Sequence, residues 1–182
     1  MTLNNLPQMF TFYFPSTFWY PEVVARWTPM VERMRLPYTT LEDFMNAQVQ
    51  SVRFPPMTMD LAMQQRGQYD VAYPSGKELE PLIDKMLNIT FKLTESYLTY
   101  WIVWDQIDTY LHYVKDYHDL KPCWMEPVKL GFLTDSGLQL VEFTFWEITP
   151  TNTTELNLSY AATVASYNTF GLTLRYNRFS IQ

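Results

Sequence analysis

Apolar and polar side chains alternate with a period of two through most of the last third of the chain. The pattern runs over residues 141–145, 155–160 and 170–177. Because successive side chains of a strand point to opposite faces, it predicts three half-buried strands, each with one apolar and one polar face. Pro150 and the run of small residues 161–166 predict the breaks between these strands.

Further elements are predicted upstream from the same two kinds of periodicity. Alternation predicts strands, and apolar residues spaced by three and four predict amphipathic helices. Pro29 lies inside the first predicted helix and is expected to bend or split it. The predicted strands are Phe10–Phe14, Val49–Phe54, Asn88–Thr94 and Val128–Thr134, and the predicted helices are Pro21–Leu36, a helix capped by Thr40 that ends at Ala47, and Tyr97–Tyr117.

The helix predicted after the middle of the chain has the clearest apolar stripe. We expect that stripe to be buried and the intervening polar residues, Asp105 and Asp108 among them, to face solvent. Trp101 is likewise expected to be buried on this helix. The residues of the stripe are Tyr100, Trp104, Ile107, Leu111 and Val114.

The segment from Met57 to Lys85 has poor periodicity and is interrupted by two glycines and two prolines. Within it, Gln68–Tyr73 and Lys77–Ile83 are both compatible with extended structure. A single domain seldom keeps so long an irregular segment unless the segment has a function.

The closing strands resemble a known family. Three features carry the resemblance: a strand that ends in residues 147–152, a short strand over residues 155–160, and a final strand over residues 169–176. This order is similar to the closing half of the tail-tube proteins of contractile phages. The same family includes the tube-initiating proteins of the baseplate and, more distantly, the secreted tube subunit of type VI systems.

The predicted fold is mainly β with helices, in the α+β class. Together with the element order, the resemblance implies an antiparallel β-sandwich or small barrel with one long flanking helix and an N-terminal helical insertion. We expect residues 1–182 to form a single domain, with the insertion at 16–47 and an extended inter-subunit loop at 57–85.

The resemblance also implies a function. It predicts a virion structural protein, one subunit of a hollow tube made of stacked hexameric rings, which conducts DNA without binding it specifically. The implied partners are further copies of the chain and the sheath, baseplate and tail-terminator proteins, with assembly in the host cytoplasm and no membrane insertion. A tube initiator or terminator is the alternative within the family.

Two sets of residues follow from this hypothesis. Arg175 shares a strand face with Thr173, so the predicted wall is not purely acidic. The candidates for the lumen are Glu142, Thr144, Asn157, Ser159 and Thr173, and the candidates for contacts between rings are Gln68, Tyr69, Tyr73, Lys77, Glu78 and Glu80.

Composition narrows the choice of function. The net charge is −6 with a pI near 4.8, and no basic stripe is visible, which argues against a protein that grips phosphates. Cys123 is the only cysteine, so no internal disulfide forms. The N-terminus lacks the pattern of a secretory signal. Charged residues make up only 18% of the chain, which favours a surface partly covered by partners.

Candidate chemistry is sparse. His112, His118 and Cys123 match no standard zinc spacing, and pairing of His112 with Asp108 or Asp116 on a helix surface is the simpler interpretation. Asp105, Asp108, Glu142 and Glu147 are the carboxylates considered for a hydrolase, but the sequence has no nucleophile and base arrangement, so we expect no enzyme, metal or cofactor. A carbohydrate-binding or receptor-binding β-sandwich, using Trp101, Trp104, Trp124 or Trp146, is the alternative of another class.

Overall fold

The computed structural model describes residues 10–34, 37–53, 61–66, 69–74, 85–116, 124–134, 136–154 and 169–182. The predicted α+β class is confirmed, because strands dominate and three α-helices accompany them. In chain order the elements are β1 (Phe10–Tyr13), α1 (Pro21–Arg33), α2 (Leu41–Ala47), β2 (Val49–Arg53), β3 (Leu61–Arg66), β4 (Tyr69–Pro74), β5 (Met86–Lys92), α3 (Leu98–Asp116), β6 (Val128–Leu133), β7 (Gln139–Trp146), β8 (Thr149–Thr153), β9 (Thr169–Arg175) and β10 (Arg178–Ile181).

Two antiparallel four-stranded sheets form the body of the domain. The first sheet has the strand order β1-β6-β7-β10, and the second sheet has the order β2-β5-β9-β8. The chain passes from the first sheet to the second between β7 and β8, and back again between β9 and β10. At this corner Glu147 has a φ of 59°, and the Asn177 N–H donates to the Trp146 carbonyl at 3.2 Å. Strands β3 and β4 form a separate hairpin that pairs with neither sheet.

The apolar faces of the two sheets meet in one aromatic core. The Phe91 ring of β5 is stacked between Phe14, 5.9 Å away, and Phe170, 5.2 Å away. Phe145 of β7 packs against Tyr176 at 4.9 Å, so the two sheets also touch at the corner. All five side chains are buried, which confirms the inward faces predicted from alternation.

The N-terminal helices agree with the sequence in part. The Thr40 hydroxyl accepts a hydrogen bond from the Asp43 N–H at 3.1 Å, which confirms the predicted cap of α2. Helix α1 runs through Pro29 as one helix and ends at Arg33, three residues before the predicted end. The sequence predicts a bend or a split at Pro29, and the split does not occur, because one helix spans Pro21–Arg33.

The buried face of α3 differs from the prediction. Trp104 and Leu111 were expected to be buried but are 49% and 47% exposed, and Val114 and Trp101 are also exposed. The buried apolar side chains lie about one residue earlier, which is a rotation of roughly 100° about the helix axis; they are Leu98, Ile102, Val103 and Tyr110.

Polar contacts explain this rotation. The Gln106 side chain donates to the Phe18 carbonyl at 2.6 Å and accepts from the Tyr20 N–H at 3.1 Å. Asp105, predicted to face solvent, is 5% exposed and accepts from the Arg26 guanidinium and from Trp27 Nε1 at 2.7 Å. A hydropathy pattern counts both residues as surface, whereas hydrogen bonding allows them to be buried.

Three strands of the described residues were not predicted, namely β3, β8 and β10. Strand β8 includes Pro150, where the sequence indicates a break, and β10 follows β9 after a short corner. Pro150 is opposite Leu174 at the edge of the second sheet, a position where the missing N–H costs no ladder hydrogen bond. The predicted strand 155–160 and the link 161–166 lie outside the described residues.

Candidate assembly surfaces

The edge strands of the second sheet, β2 and β8, present backbone groups that no described strand pairs. The Thr154 N–H donates to the Gly171 carbonyl at 2.9 Å, and the Gly171 N–H donates to Thr154 Oγ1 at 2.7 Å, so Gly171 points towards β8. Residues of an antiparallel strand alternate in the direction of their backbone hydrogen bonds. The backbone groups of Ile89 bond to β9, so those of its partner Val52 point away from β5, towards the free edge of the sheet. By the same rule, the backbone N–H and C=O of Thr153, which is opposite Leu172, point away from β9 at the other edge of the sheet.

The outer face of the second sheet, called the open face below, is polar. It consists of the side chains that alternate with the core residues of the four strands, and no described element covers it. It carries no aromatic residue, and its one large apolar side chain is Met86, which is 38% exposed. Its members are Ser51, Arg53, Met86, Asn88, Thr90, Lys92, Thr149, Asn152, Thr169, Gly171, Thr173 and Arg175.

Charge on the open face has one sign. None of the four strands of the second sheet contains an Asp or Glu, whereas Arg53, Lys92 and Arg175 are all exposed on this face. Among the described residues, no carboxylate pairs with Arg53 or Arg175 within 4.0 Å. The sequence analysis identified Arg175 on a polar strand face but not Arg53. The two-residue spacing of Ser51 and Arg53 indicates that both lie on one face of β2.

The outer face of the first sheet is closed by its own polar contacts. Lys129 Nζ donates to Glu142 Oε1 at 2.7 Å, and Gln139 Nε2 donates to Glu142 Oε2 at 2.7 Å. The Lys129 ammonium first, and the Gln139 amide second, hold the pKa of Glu142 below its usual range. Beside them lies a groove of about 760 Å³, lined also by Thr11 and Asn46.

Helix α2 shields one edge of the first sheet. Asn46 Oδ1 accepts from the Phe14 N–H at 2.8 Å, and Asn46 Nδ2 donates to the Phe14 carbonyl at 3.3 Å, as a neighbouring strand would. The Tyr13 hydroxyl donates to Glu42 Oε1 at 2.5 Å, and this hydrogen bond raises the pKa of Tyr13. The β1 edge is thus partly occupied within the subunit, unlike the edges of the second sheet.

The predicted lumen residues do not lie on one surface. Glu142 and Thr144 are on β7 of the first sheet, whereas Thr173 is on β9 of the second, where its hydroxyl donates to Asn88 Oδ1 at 2.8 Å. Thr144 is only 3% exposed, so it offers no surface to a lumen in the single subunit. The remaining two candidates, Asn157 and Ser159, lie outside the described residues.

The β3–β4 hairpin falls inside the segment predicted to contact neighbouring rings. Tyr69 and Tyr73 of that prediction lie on β4, opposite Arg66 and Ala62 of β3. The other candidates, Gln68, Lys77, Glu78 and Glu80, lie outside the described residues. A two-stranded hairpin alone is marginally stable in water, so this one requires further contacts.

Two other surfaces expose large apolar side chains. Trp101 and Trp104 on α3 form an edge-to-face pair, with centroids 6.4 Å apart and planes at 75°. The β6–β7 end of the first sheet is the other surface; its exposed residues are Phe132, Leu138, Leu140 and Ile181.

The described residues contain no group of three or more His, Cys, Asp or Glu side chains able to hold a metal. His118 and Cys123, considered above, lie outside them. His112 Nδ1 is 3.6 Å from Asp108 Oδ2, the pairing expected from the sequence. Glu147 pairs with Arg178 at 2.8 Å, and Asp105 is buried in its contacts with α1.

None of the helices in the described ranges combines the length and apolarity of a transmembrane span.

No protein-family model and no curated protein matches the chain. Solved structures do match. The chain is similar to a chain of the anti-feeding prophage baseplate, at 13% identity and a TM-score of 0.48, over 74% of this chain and 78% of that one. It is similar to a chain of the PVC sheath–tube complex of an extracellular contractile injection system, at 15% identity and a TM-score of 0.44, over 74% and 80%.

A third match is Hcp1 from Flavobacterium johnsoniae, at 14% identity and a TM-score of 0.36, over 73% and 84%. The matched assemblies are in the same group as the resemblance of the closing strands. At these identities and TM-scores the likeness does not define the role of this chain.

Proposed function

We propose that this protein is a structural subunit of the hollow tube of a contractile tail. Copies join side by side through the second sheet into rings, and the rings stack. The observation that carries the proposal is the second sheet itself, whose edges at β2 and β8 are paired by no described strand and whose four strands contain no carboxylate. An isolated domain normally protects such edges, whereas pairing with another copy removes them.

The ring contact is heterologous, β2 of one copy against β8 of the next. Val52 and Thr153 supply outward backbone N–H and C=O groups on the two edges. Strand β2 of one copy can therefore hydrogen-bond to β8 of the next, in an antiparallel or a parallel pair. A head-to-tail contact of this kind closes into a ring when the rotation permits, and the strands form a continuous barrel. Six copies are the number implied by the family resemblance.

The open face lines the lumen in this arrangement. Apart from Met86 it is polar, and it is free of aromatic side chains, so DNA that passes through the lumen meets little apolar surface. Thr173 stays a lumen residue, whereas Glu142 and Thr144 lie on the first sheet and outside the barrel wall. DNA is the expected passenger of a phage tube, with no base-specific contact.

The β3–β4 hairpin makes the contacts between rings. Among the described strands of its own subunit, none outside the hairpin pairs with it. Pairing or packing on the adjacent ring supplies the contacts that a lone hairpin lacks. The other proposed partners of such a tube are the sheath, baseplate and terminator proteins. The alternative role is a tube initiator or terminator, a subunit with the same fold in which one of the two stacking surfaces is blocked.

Electron microscopy of edge variants tests the ring contact. Val52→Pro removes the outward N–H, and Val52→Ala is the matched control, because both lose the partly buried valine side chain but only proline loses the donor. We expect rings and tubes from wild type and Val52→Ala, and a folded, dispersed Val52→Pro. A wild-type protein that stays a single particle at high concentration, or a Val52→Pro variant that assembles like Val52→Ala, contradicts the proposal.

A second variant tests the stacking contact. Replacing residues 61–74 by a short Gly/Ser linker removes the hairpin and leaves both four-stranded sheets. We expect single rings that do not stack. Tubes of normal length from this variant exclude the hairpin as the inter-ring contact, and a glycan-binding assay on the same preparations tests the alternative of a carbohydrate-binding module.

A further inference from the structure

Two arginines on the open face lie close enough to act on one ligand. Arg53 is on β2 and Arg175 on β9, with β5 between them, and they are offset by two residues along the strands. With strands about 4.8 Å apart and a rise of about 3.3 Å per residue, their Cα atoms are about 12 Å apart. Lys92 lies on the same face, and the four strands supply no acidic side chain.

We infer that the open face contacts the phosphate backbone of nucleic acid through Arg53 and Arg175. The inference rests on the proposed function, because the ring repeats the two arginines once per copy and turns a weak pair into a belt around the lumen. It also revises the expectation drawn from net charge. The overall charge of −6 hides a face of the opposite sign.

The chemistry of the face favours phosphate over an acidic peptide. Guanidinium groups bind phosphate oxygens in a bidentate manner, and hydroxyl and amide groups such as those of Thr90 and Asn88 also donate to phosphates. A peptide ligand would gain from aromatic or apolar anchors, and Met86 is the single large apolar side chain among these described residues. The lack of aromatic rings excludes base stacking on this face, so the contact is independent of sequence.

Co-sedimentation of a short labelled DNA duplex with assembled tubes tests the inference. The test variant is Arg53→Gln with Arg175→Gln, and the control is Arg33→Gln with Arg178→Gln, which removes the same charge from exposed positions elsewhere. We expect wild type and control to retain the duplex at low salt and the test variant to retain about a tenth as much. For the dispersed protein, two phosphate contacts predict a loss of affinity of about tenfold between about 50 and 200 mM salt, and the loss is larger in tubes, where several copies contact one duplex.

The outcomes separate the two proposals. Tubes that retain no duplex, or equal retention by the test and control variants, overturn the inference and leave the tube intact. Stronger retention of labelled polyglutamate than of the duplex shows an acidic protein ligand and also overturns it. Failure to form tubes contradicts the proposed function alone, and fluorescence anisotropy of the duplex against the dispersed protein, with the same variants, then decides the inference.

Discussion

The two sheets of this protein have the same number of strands and opposite surfaces. The first sheet makes part of its surface contacts itself, with an ion pair on its outer face and Asn46 of α2 beside its β1 edge, although Leu138, Leu140 and Ile181 stay exposed. In the described part of the chain, no strand pairs with either edge of the second sheet, and Arg53 and Arg175 on its outer face have no carboxylate partner. This difference is the basis of the proposed ring contact, because a surface that already makes contacts within the subunit gains less from a partner than unpaired edges, which gain backbone hydrogen bonds.

The largest expected effect comes from breaking the contact that joins the sheets. Phe91→Ala removes the ring stacked between Phe14 and Phe170 and leaves a cavity at the centre of the core, so we expect a loss of about 3–5 kcal/mol in the free energy of unfolding. Met86→Ala on the open face of the same strand is the control and should change it by less than about 0.5 kcal/mol. Urea unfolding followed by tryptophan fluorescence measures the free energy of unfolding of both variants. Similar losses for Phe91→Ala and Met86→Ala would contradict a core shared by the two sheets at Phe91.

The next effect concerns α1 and α3, which cover the core beside the second sheet. Asp105→Ala leaves Trp27 Nε1 without its acceptor, so we expect a loss of about 1–3 kcal/mol. Arg26 is largely exposed and regains water, which limits the cost. Asp108→Ala on the exposed side of α3 is the matched control and should be nearly neutral; an equal loss in thermal or urea unfolding would mean that Asp105 is not a structural acceptor.

The sequence predicts the strands far better than their neighbours. Alternation finds β5, β6, β7 and β9 and their buried faces, because period and burial are properties of each segment alone. It fails at α3, where Asp105 and Gln106 are buried by hydrogen bonds to residues about 80 positions away. Alternation also fails at β8. A proline normally indicates the end of a strand, but Pro150 is tolerated because β8 is an edge strand.

The assembly surfaces were harder to predict than the elements. Glu142, Thr144 and Thr173 all occupy polar alternates, and alternation alone does not say that β7 and β9 belong to different sheets. That assignment depends on the strand order, which brings β5 beside β9 and β6 beside β7. The open face likewise requires Arg53 and Arg175, over one hundred residues apart in the sequence, to meet across β5.

A pair of glycines compares the two outer faces directly. A Cβ on Gly131 of the first sheet would lie 2.8 Å from Thr11 Oγ1 and 2.9 Å from the Gln139 side chain, whereas a Cβ on Gly171 of the second sheet meets Thr154 Cγ2 at 3.2 Å. We expect Gly131→Ala to cost about 1–2 kcal/mol and Gly171→Ala to stay within about 0.5 kcal/mol. Urea midpoints measure both; a larger loss for Gly171→Ala would contradict the view that the first sheet is the crowded one.

The smallest effect distinguishes the sheets by pH. Because Lys129 and Gln139 lower the pKa of Glu142 in the folded state, its carboxylate stabilises the protein above the usual pKa of 4.5, and this stability is lost as the pH falls through the lower folded value. Glu142→Gln should therefore cost up to about 1 kcal/mol at neutral pH and nothing in acid. Urea midpoints across this range measure the difference, and a cycle with Lys129→Met isolates the ion pair. If Glu142→Gln costs the same at all pH values, the first sheet is not closed by this pair, and its outer face is as open to a partner as that of the second.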